Sequence, residues 1–248
     1  MRNKLAIVTG GARGIGRACA HVLAQKGLDV AIVDMLVPEM RRTEGELREW
    51  GRAVRIYEAD VADFSRASEV VGQINVDFGG IDVLLNNAGR GNPKGITEIT
   101  EAEFDRTIAV NLKSCFNYIH AAAPKMLAGG GGRIISMSSL NALSGGVTSA
   151  VSKFSYAAAK AGILGMTRAL AKELGPNIAV NAICPGVIET ELGNSLTKSR
   201  GPELMEGIAL GRLGTPADVA QLVAFLATAE PFFVTGQAFV IDGFQWVC

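Results

Sequence analysis

Short apolar runs alternate with longer segments whose apolar residues recur at helical spacing, and the alternation continues along the whole chain. Leu5-Ala6-Ile7-Val8-Thr9 is too short for a helix and is closed by glycines, which reads as a buried strand. Ile15, Ala18, Cys19, Val22 and Leu23 then repeat at a helical period, with Gly27 as the stop. Val30 to Asp34 is a second buried strand, and a polar helix from about Pro38 to Trp50 follows. Val54 to Tyr57 alternates as a strand nearer an edge does. A helix from about Phe64 to Asp77 leads into an apolar strand at Ile81 to Leu85. Thr100-Glu101-Ala102-Glu103 is a capping box, opening a long helix through Phe104, Ile108 and Leu112. A strand from Arg133, a helix from Tyr156 to Leu174 and a strand from Ile178 to Ile183 follow, the last stopped by Pro185-Gly186. Thr215-Pro216-Ala217-Asp218 opens the final helix, and Ala238 to Ile241 is the final strand.

Strands alternating with helices at this spacing specify parallel β-α-β crossovers, and so a sheet covered on both faces. No linker divides the 248 residues, and Gly129 to Gly132 is a flexible loop. The expectation is one doubly wound α/β domain over 1–248. With 48% hydrophobic residues the chain has ample material for its core. The 24 basic and 24 acidic residues cancel, so net charge draws the protein toward neither nucleic acid nor anionic lipid. Its apolar runs fall short of a membrane span, and the N-terminal residues carry no secretory pattern. Cys19, Cys115, Cys184 and Cys248 are scattered without a C-x-x-C pair, which fits three small buried thiols and one terminal thiol in a reducing cytoplasm. Of these, Cys184 beside Pro185 is the one whose reactivity merits a check. His21 and His120, the only histidines, lie outside any H-x-x-H context. No metal site is expected, and acid–base work must fall to another residue type.

The first strand–helix junction is Thr9-Gly10-Gly11-Ala12-Arg13-Gly14-Ile15-Gly16. Glycines let the backbone turn tightly against a pyrophosphate, and the helix start offers free N–H groups at a positive dipole end. A glycine cluster alone says little. After a strand and at the head of a helix, it points to a dinucleotide. Asp34 ends the second strand 18 residues after Gly16. A carboxylate there suits the ribose hydroxyls of NAD and repels a 2′-phosphate. Arg13 pulls mildly the other way, toward phosphate, and Met35 adds no second cation. NAD is the cofactor expected, with NADP second.

With the glycine motif, the chain carries Asn86-Asn87-Ala88-Gly89, Asn111, Ser139, Tyr156-Ala157-Ala158-Ala159-Lys160 and Asn181 to Thr190 in this order. It thereby resembles the classical short-chain dehydrogenase/reductase family over essentially its whole length, with 3-oxoacyl-[acyl-carrier-protein] reductases as the nearest type. The resemblance implies a Rossmann-type fold and a hydride transfer between a nicotinamide cofactor and a secondary alcohol or ketone. It further implies that Gly10, Arg13, Gly14, Ile15 and Gly16 hold the cofactor with Asp34. Asp60 and Val61 would hold the adenine, and Asn87, Ala88 and Gly89 would brace the fourth strand against the cofactor. Pro185, Gly186, Ile188 and Thr190 would hold the carboxamide. Among the serines near the end of the strand, the residues leave Ser136, Ser138 and Ser139 open; the family pattern selects Ser139 to orient the substrate oxygen. Asn111 would sit in a local helix distortion and hold a water that relays protons from Lys160. The segment between Ser139 and Tyr156 is a few residues longer than the family norm, which bears on substrate choice. A homotetramer packed partly through the helices after Thr100 and Tyr156 is also implied.

The chemistry can be argued beside the resemblance. Tyr156 and Lys160 are four apart and so share a helix face. A free phenol titrates near pH 10, too high for a base at neutral pH. An ammonium about 4 Å from a phenolate is worth about 4 kcal/mol at an effective dielectric near 20. That brings proton transfer within reach of working pH. Tyr156 is therefore the expected acid–base residue, with Lys160 supporting it and holding the ribose. Glu191 to Arg212, with four glycines, reads as a mobile lid over the substrate. Two other functions compete. A non-catalytic NAD-binding redox sensor would have no use for the full Ser139, Tyr156 and Lys160 set. A nucleotide-sugar epimerase or dehydratase would need a larger substrate domain. The partner expected is a small alcohol or ketone.

Overall fold

The computed structural model describes residues 2–145, 152–191 and 205–245. Most of the lid expected at 191–212 and residues 146–151 of the lengthened loop after Ser139 lie outside these residues, as does Cys248. Seven parallel strands form one sheet in the order β3-β2-β1-β4-β5-β6-β7. They are β1 (Leu5–Thr9), β2 (Asp29–Asp34), β3 (Val54–Glu58), β4 (Val83–Asn86), β5 (Gly132–Met137), β6 (Ile178–Pro185) and β7 (Ala238–Ile241). Among the described residues the helices are α1 (Gly14–Gln25), α2 (Val37–Arg48), α3 (Phe64–Phe78), α4 (Glu101–Ile108), α5 (Ser114–Ala128), α6 (Asn141–Ser144), α7 (Phe154–Glu173) and α8 (Pro216–Thr228). The doubly wound α/β expectation is what the sheet shows, with β3 at an edge as its alternation suggested.

Side chains of a strand point alternately to the two faces, so an unbroken apolar run feeds two cores at once. Leu5 and Ile7 of β1, Ala31 and Val33 of β2, Leu84 of β4 and Ile134 of β5 face one side. There they meet Val70 and Ile74 of α3, Tyr118 and Met126 of α5, and Ile163 of α7. Ala6, Val8, Val30, Ile32, Leu85 and Ile135 face the other side, against Cys19 and Leu23 of α1, Met40 and Leu47 of α2, and Val219 and Val223 of α8. Each fully buried Leu or Ile stabilises the fold by about 1.5–3 kcal/mol relative to an exposed one. Two such layers hold the sheet rigid.

The caps behave as their residues dictate. Thr100 Oγ1 accepts from the Glu103 amide while the Glu103 carboxylate accepts from the Thr100 amide, and Thr215 and Asp218 repeat the arrangement at α8. One element departs from the pattern. The helix read as continuous from Thr100 is interrupted by a π-turn at Ala109–Lys113 before α5 resumes. The sheet is wound outward in two directions, from β1 to β3 and from β4 to β7, so the strand order switches between β1 and β4 and opens a crevice at the carboxyl ends of the strands. No helix among the described residues is long and apolar enough to cross a membrane.

Candidate active site

At the head of this crevice the glycine loop is shaped by three positive or crowded positions. Gly10 and Gly14 have φ of 65° and 57°, which side chains rarely adopt. A Cβ on Gly16 would stand 2.0 Å from the Gly10 carbonyl oxygen, so only glycine fits. Arg13 is the N-cap of α1 and makes no side-chain cap bond, which leaves the first-turn N–H groups of Gly14, Ile15 and Gly16 without a cap. Uncapped amides at a positive dipole end form a cradle for an anion such as a pyrophosphate.

Asp34 lies beside this loop. Its carboxylate accepts from the Ala12 amide at 3.1 Å, from Met35 at 2.7 Å and from Leu36 at 3.2 Å. It thus ties the end of β2 to the loop while remaining partly exposed. Asn87 locks the other flank: its Nδ2 donates to the carbonyls of Thr9 and Gly10, each at 3.1 Å. Thr9, which the sequence reading did not assign, completes this joint. Its Oγ1 accepts from the amides of Asn87 and Ala88 at 3.0 and 3.2 Å. A polar residue closing an otherwise apolar buried strand was the available signal.

Deeper in, Lys160 is almost fully buried, and its ammonium donates to the Met137 carbonyl at 2.7 Å. It stands 5.6 Å from the centroid of the Tyr156 ring. The two side chains therefore converge as their four-residue spacing required. A Cβ on Gly89 would lie 3.4 Å from the Lys160 Nζ and 2.8 Å from the Asn111 Oδ1, so the absence of a side chain there keeps this corner open. Asn111 sits in the π-turn, fully buried. Its amide clasps the Arg90 residue from both sides, donating to the carbonyl at 2.8 Å and accepting from the N–H at 3.0 Å, and it also donates to Thr107 O at 2.9 Å. The helix distortion expected at Asn111 is present.

Geometry separates the three serines. Ser136 is buried and accepts from Asn86 at 3.4 Å, and Ser138 is buried with its hydroxyl donating to the Lys160 carbonyl at 2.8 Å. Ser139 alone is partly exposed, two residues past β5, and its Oγ accepts from the Asn141 amide at 3.2 Å.

The remaining positions lie around the same rim. Asp60 Oδ2 is 2.8 Å from Arg106, and Val61 is buried behind it. Pro185 ends β6, and Gly186 donates to Ile241 O at 3.0 Å where a Cβ would strike Asp242 at 2.6 Å. Ile188 bridges to Gly214, and Thr190 reaches back to the glycine loop, 3.8 Å from where a Gly14 Cβ would be. Cys184 is buried, and burial pushes its thiol up, which makes it a poor nucleophile. His21 pairs with Glu46 at 2.9 Å, as a structural helix residue does. Among the described residues no cluster could hold a metal ion.

A parallel, doubly wound sheet whose glycine loop, Tyr–Lys pair and π-turn asparagine meet at one rim defines a class of dinucleotide-linked α/β oxidoreductases. A family model described as enoyl-(acyl carrier protein) reductase matches residues 10–243, and the chain belongs to that family, within the short-chain dehydrogenase/reductases. It is similar to 3-oxoacyl-[acyl-carrier-protein] reductase FabG of Thermotoga maritima, 37% identical over 244 residues, covering 98% of each chain. Nodulation protein G of Azospirillum brasilense is 36% identical over 98% of each chain. Among solved structures, a short-chain dehydrogenase/reductase (glucose/ribitol dehydrogenase) from Brucella melitensis superimposes with a TM-score of 0.92. It is 31% identical and the match covers 100% of this chain and 98% of that one. The family is one of oxidoreductases that bind a nicotinamide cofactor and act on alcohol or ketone carbons.

Proposed function

We propose that residues 1–248 form a single-domain NAD(H)-dependent dehydrogenase/reductase of a secondary alcohol or its ketone, with Tyr156 as its acid–base residue. The observation that carries this reading is the convergence of Tyr156 and Lys160 beside Gly89 and Asn111, with Ser139 the one serine of its run left for a ligand. The residues fit a dinucleotide: the uncapped α1 amides and the crowded Gly16 suit the pyrophosphate, and the Asp34 carboxylate suits ribose hydroxyls. Asp60 and Val61 would take the adenine, and Pro185, Gly186, Ile188 and Thr190 the carboxamide. When bound, the nicotinamide supplies or accepts the hydride.

The chain's own groups do the rest. Ser139 offers its hydroxyl to the substrate oxygen and orients it. Tyr156 donates its phenolic proton to that oxygen in reduction and withdraws it in oxidation. Lys160 steadies the phenolate and holds the ribose hydroxyls. Asn111 holds a water that passes protons on toward solvent. The substrate sought first is a 3-oxoacyl thioester, because several similar proteins bear the name of 3-oxoacyl-[acyl-carrier-protein] reductase. Polyols and sugars come next. Residues 191–212 serve as the lid, and the working assembly is a cytoplasmic homotetramer.

Tyr156→Phe tests the assignment. Turnover should fall by at least a hundredfold, the usual worth of a positioned general acid–base group, while NADH binding changes little. Turnover retained in this variant overturns the mechanism. A redox sensor is the weaker reading, since nothing in cofactor sensing requires Tyr156 and Ser139 to be arranged for proton transfer.

A further inference from the structure

Asn117 of α5 is fully buried, yet its side chain is polar on a helix face otherwise given to Tyr118, Ala121, Ala122 and other core residues. Its Nδ2 donates to the Val61 carbonyl at 2.9 Å, while its Oδ1 finds no partner. A buried acceptor left unmade is costly, and an apolar side chain here would avoid it. The amide is therefore explained by the one bond it makes. That bond falls on the peptide joining Val61 to Ala62. The other side of the same peptide is held as well, because the Ala62 N–H donates to Asp60 Oδ1 at 3.0 Å. The second oxygen of Asp60 is 2.8 Å from the guanidinium of Arg106 on α4.

Arg106 and Asn117 lie on opposite sides of the π-turn at Ala109–Lys113, in the run of helix that carries Asn111. Both close on the same three residues, Asp60, Val61 and Ala62. We infer that Arg106 and Asn117 are positioning residues that clamp the adenine-binding turn, one through the Asp60 carboxylate and one through the Val61 carbonyl. This inference rests on the assignment of Asp60 and Val61 to the adenine. The clamp sets the direction of the Asp60 carboxylate and the depth of the Val61 backbone before any nucleotide arrives. It acts on the adenine half of a dinucleotide and not on the half near Tyr156.

The test compares fragments on the full-length chain. Adenosine monophosphate and nicotinamide mononucleotide are titrated separately by calorimetry into the wild type, Arg106→Gln and Asn117→Leu. Each variant should bind adenosine monophosphate roughly fivefold more weakly, the net worth of about one hydrogen bond, with nicotinamide mononucleotide unchanged. The KM for the dinucleotide should rise by the same factor at unchanged kcat. Unaltered affinity for adenosine monophosphate in folded variants overturns the clamp. Equal weakening of both fragments also overturns it, since that is what general loosening of the fold would give. Arg106 is half exposed, so Arg106→Gln decides the matter by itself if Asn117→Leu does not fold. A wild type that binds neither NADH, NADPH nor adenosine monophosphate refutes the dinucleotide reading, and the clamp with it.

Discussion

Asp34 holds three backbone amides at once, so its carboxylate is oriented before any ribose reaches it. Charge-assisted bonds of this kind are roughly twice as strong as neutral ones. Asp34→Ser should therefore weaken NADH by about tenfold or more and narrow the gap to NADPH, read by nucleotide fluorescence titration. Tighter binding of NADPH than NADH by the wild type would show that Arg13 outweighs the carboxylate. Gly16 makes a steric prediction at the same loop. In Gly16→Ala the new methyl meets the Gly10 carbonyl at 2.0 Å and Asn87 Nδ2 at 2.5 Å. Overpacking of this sort costs about 1–3 kcal/mol or more. The variant should melt earlier and lose nucleotide binding; an unshifted melting temperature would contradict the crowding. Residue types alone announced Asp34, the glycines and the Tyr156–Lys160 pair, because spacing carries their chemistry. They did not separate Ser139 from Ser136 and Ser138, since that choice depends on which hydroxyl the tertiary structure occupies. Thr9 and Asn117 were silent for the same reason: their partners are 56 or more residues away.

Among elements, the contrast between the two ends of α4 shows which signals are local. Its start could be read from Thr100 and Glu103 because the capping box closes within four residues. Its end carries no such local signal: the distortion at Asn111 was implied only by the family resemblance, and the partner that Asn111 meets in the π-turn, Arg90, is 21 residues away. The capping box also carries a pH dependence. The hydrogen bond from the Lys94 ammonium, with the Thr100 amide, holds the Glu103 carboxyl down to about 2. A carboxyl whose folded pKa lies below its unfolded value of about 4.3 adds stability above that pH. The contribution fades as pH falls toward the folded value. Glu103→Gln should thus flatten the acid limb of a urea-stability curve between about pH 4.5 and 2, with little change in its slope near neutrality. An acid limb identical to the wild type would remove Glu103 from the account.

For the whole molecule, the order of the seven strands was within reach of the sequence only as a class, an alternating parallel sheet. Which strand neighbours which is fixed by long-range pairing, such as β1 with both β2 and β4. Assembly is tested at this scale too. The proposed homotetramer should scatter light as four times the 26.0 kDa chain; a value of one or two chain masses would set it aside.

Parallel strands put every carboxyl end on the same rim, and all the groups assigned to chemistry gather there. The opposite rim is made of turns such as Gly129–Gly131 that precede the strands, and Gly130 there has open space around it. A peptide spliced between Gly129 and Gly130 would hang from the far end of the molecule. A tether, label or fusion at that turn should accordingly leave turnover unchanged, a consequence of the common direction of the strands.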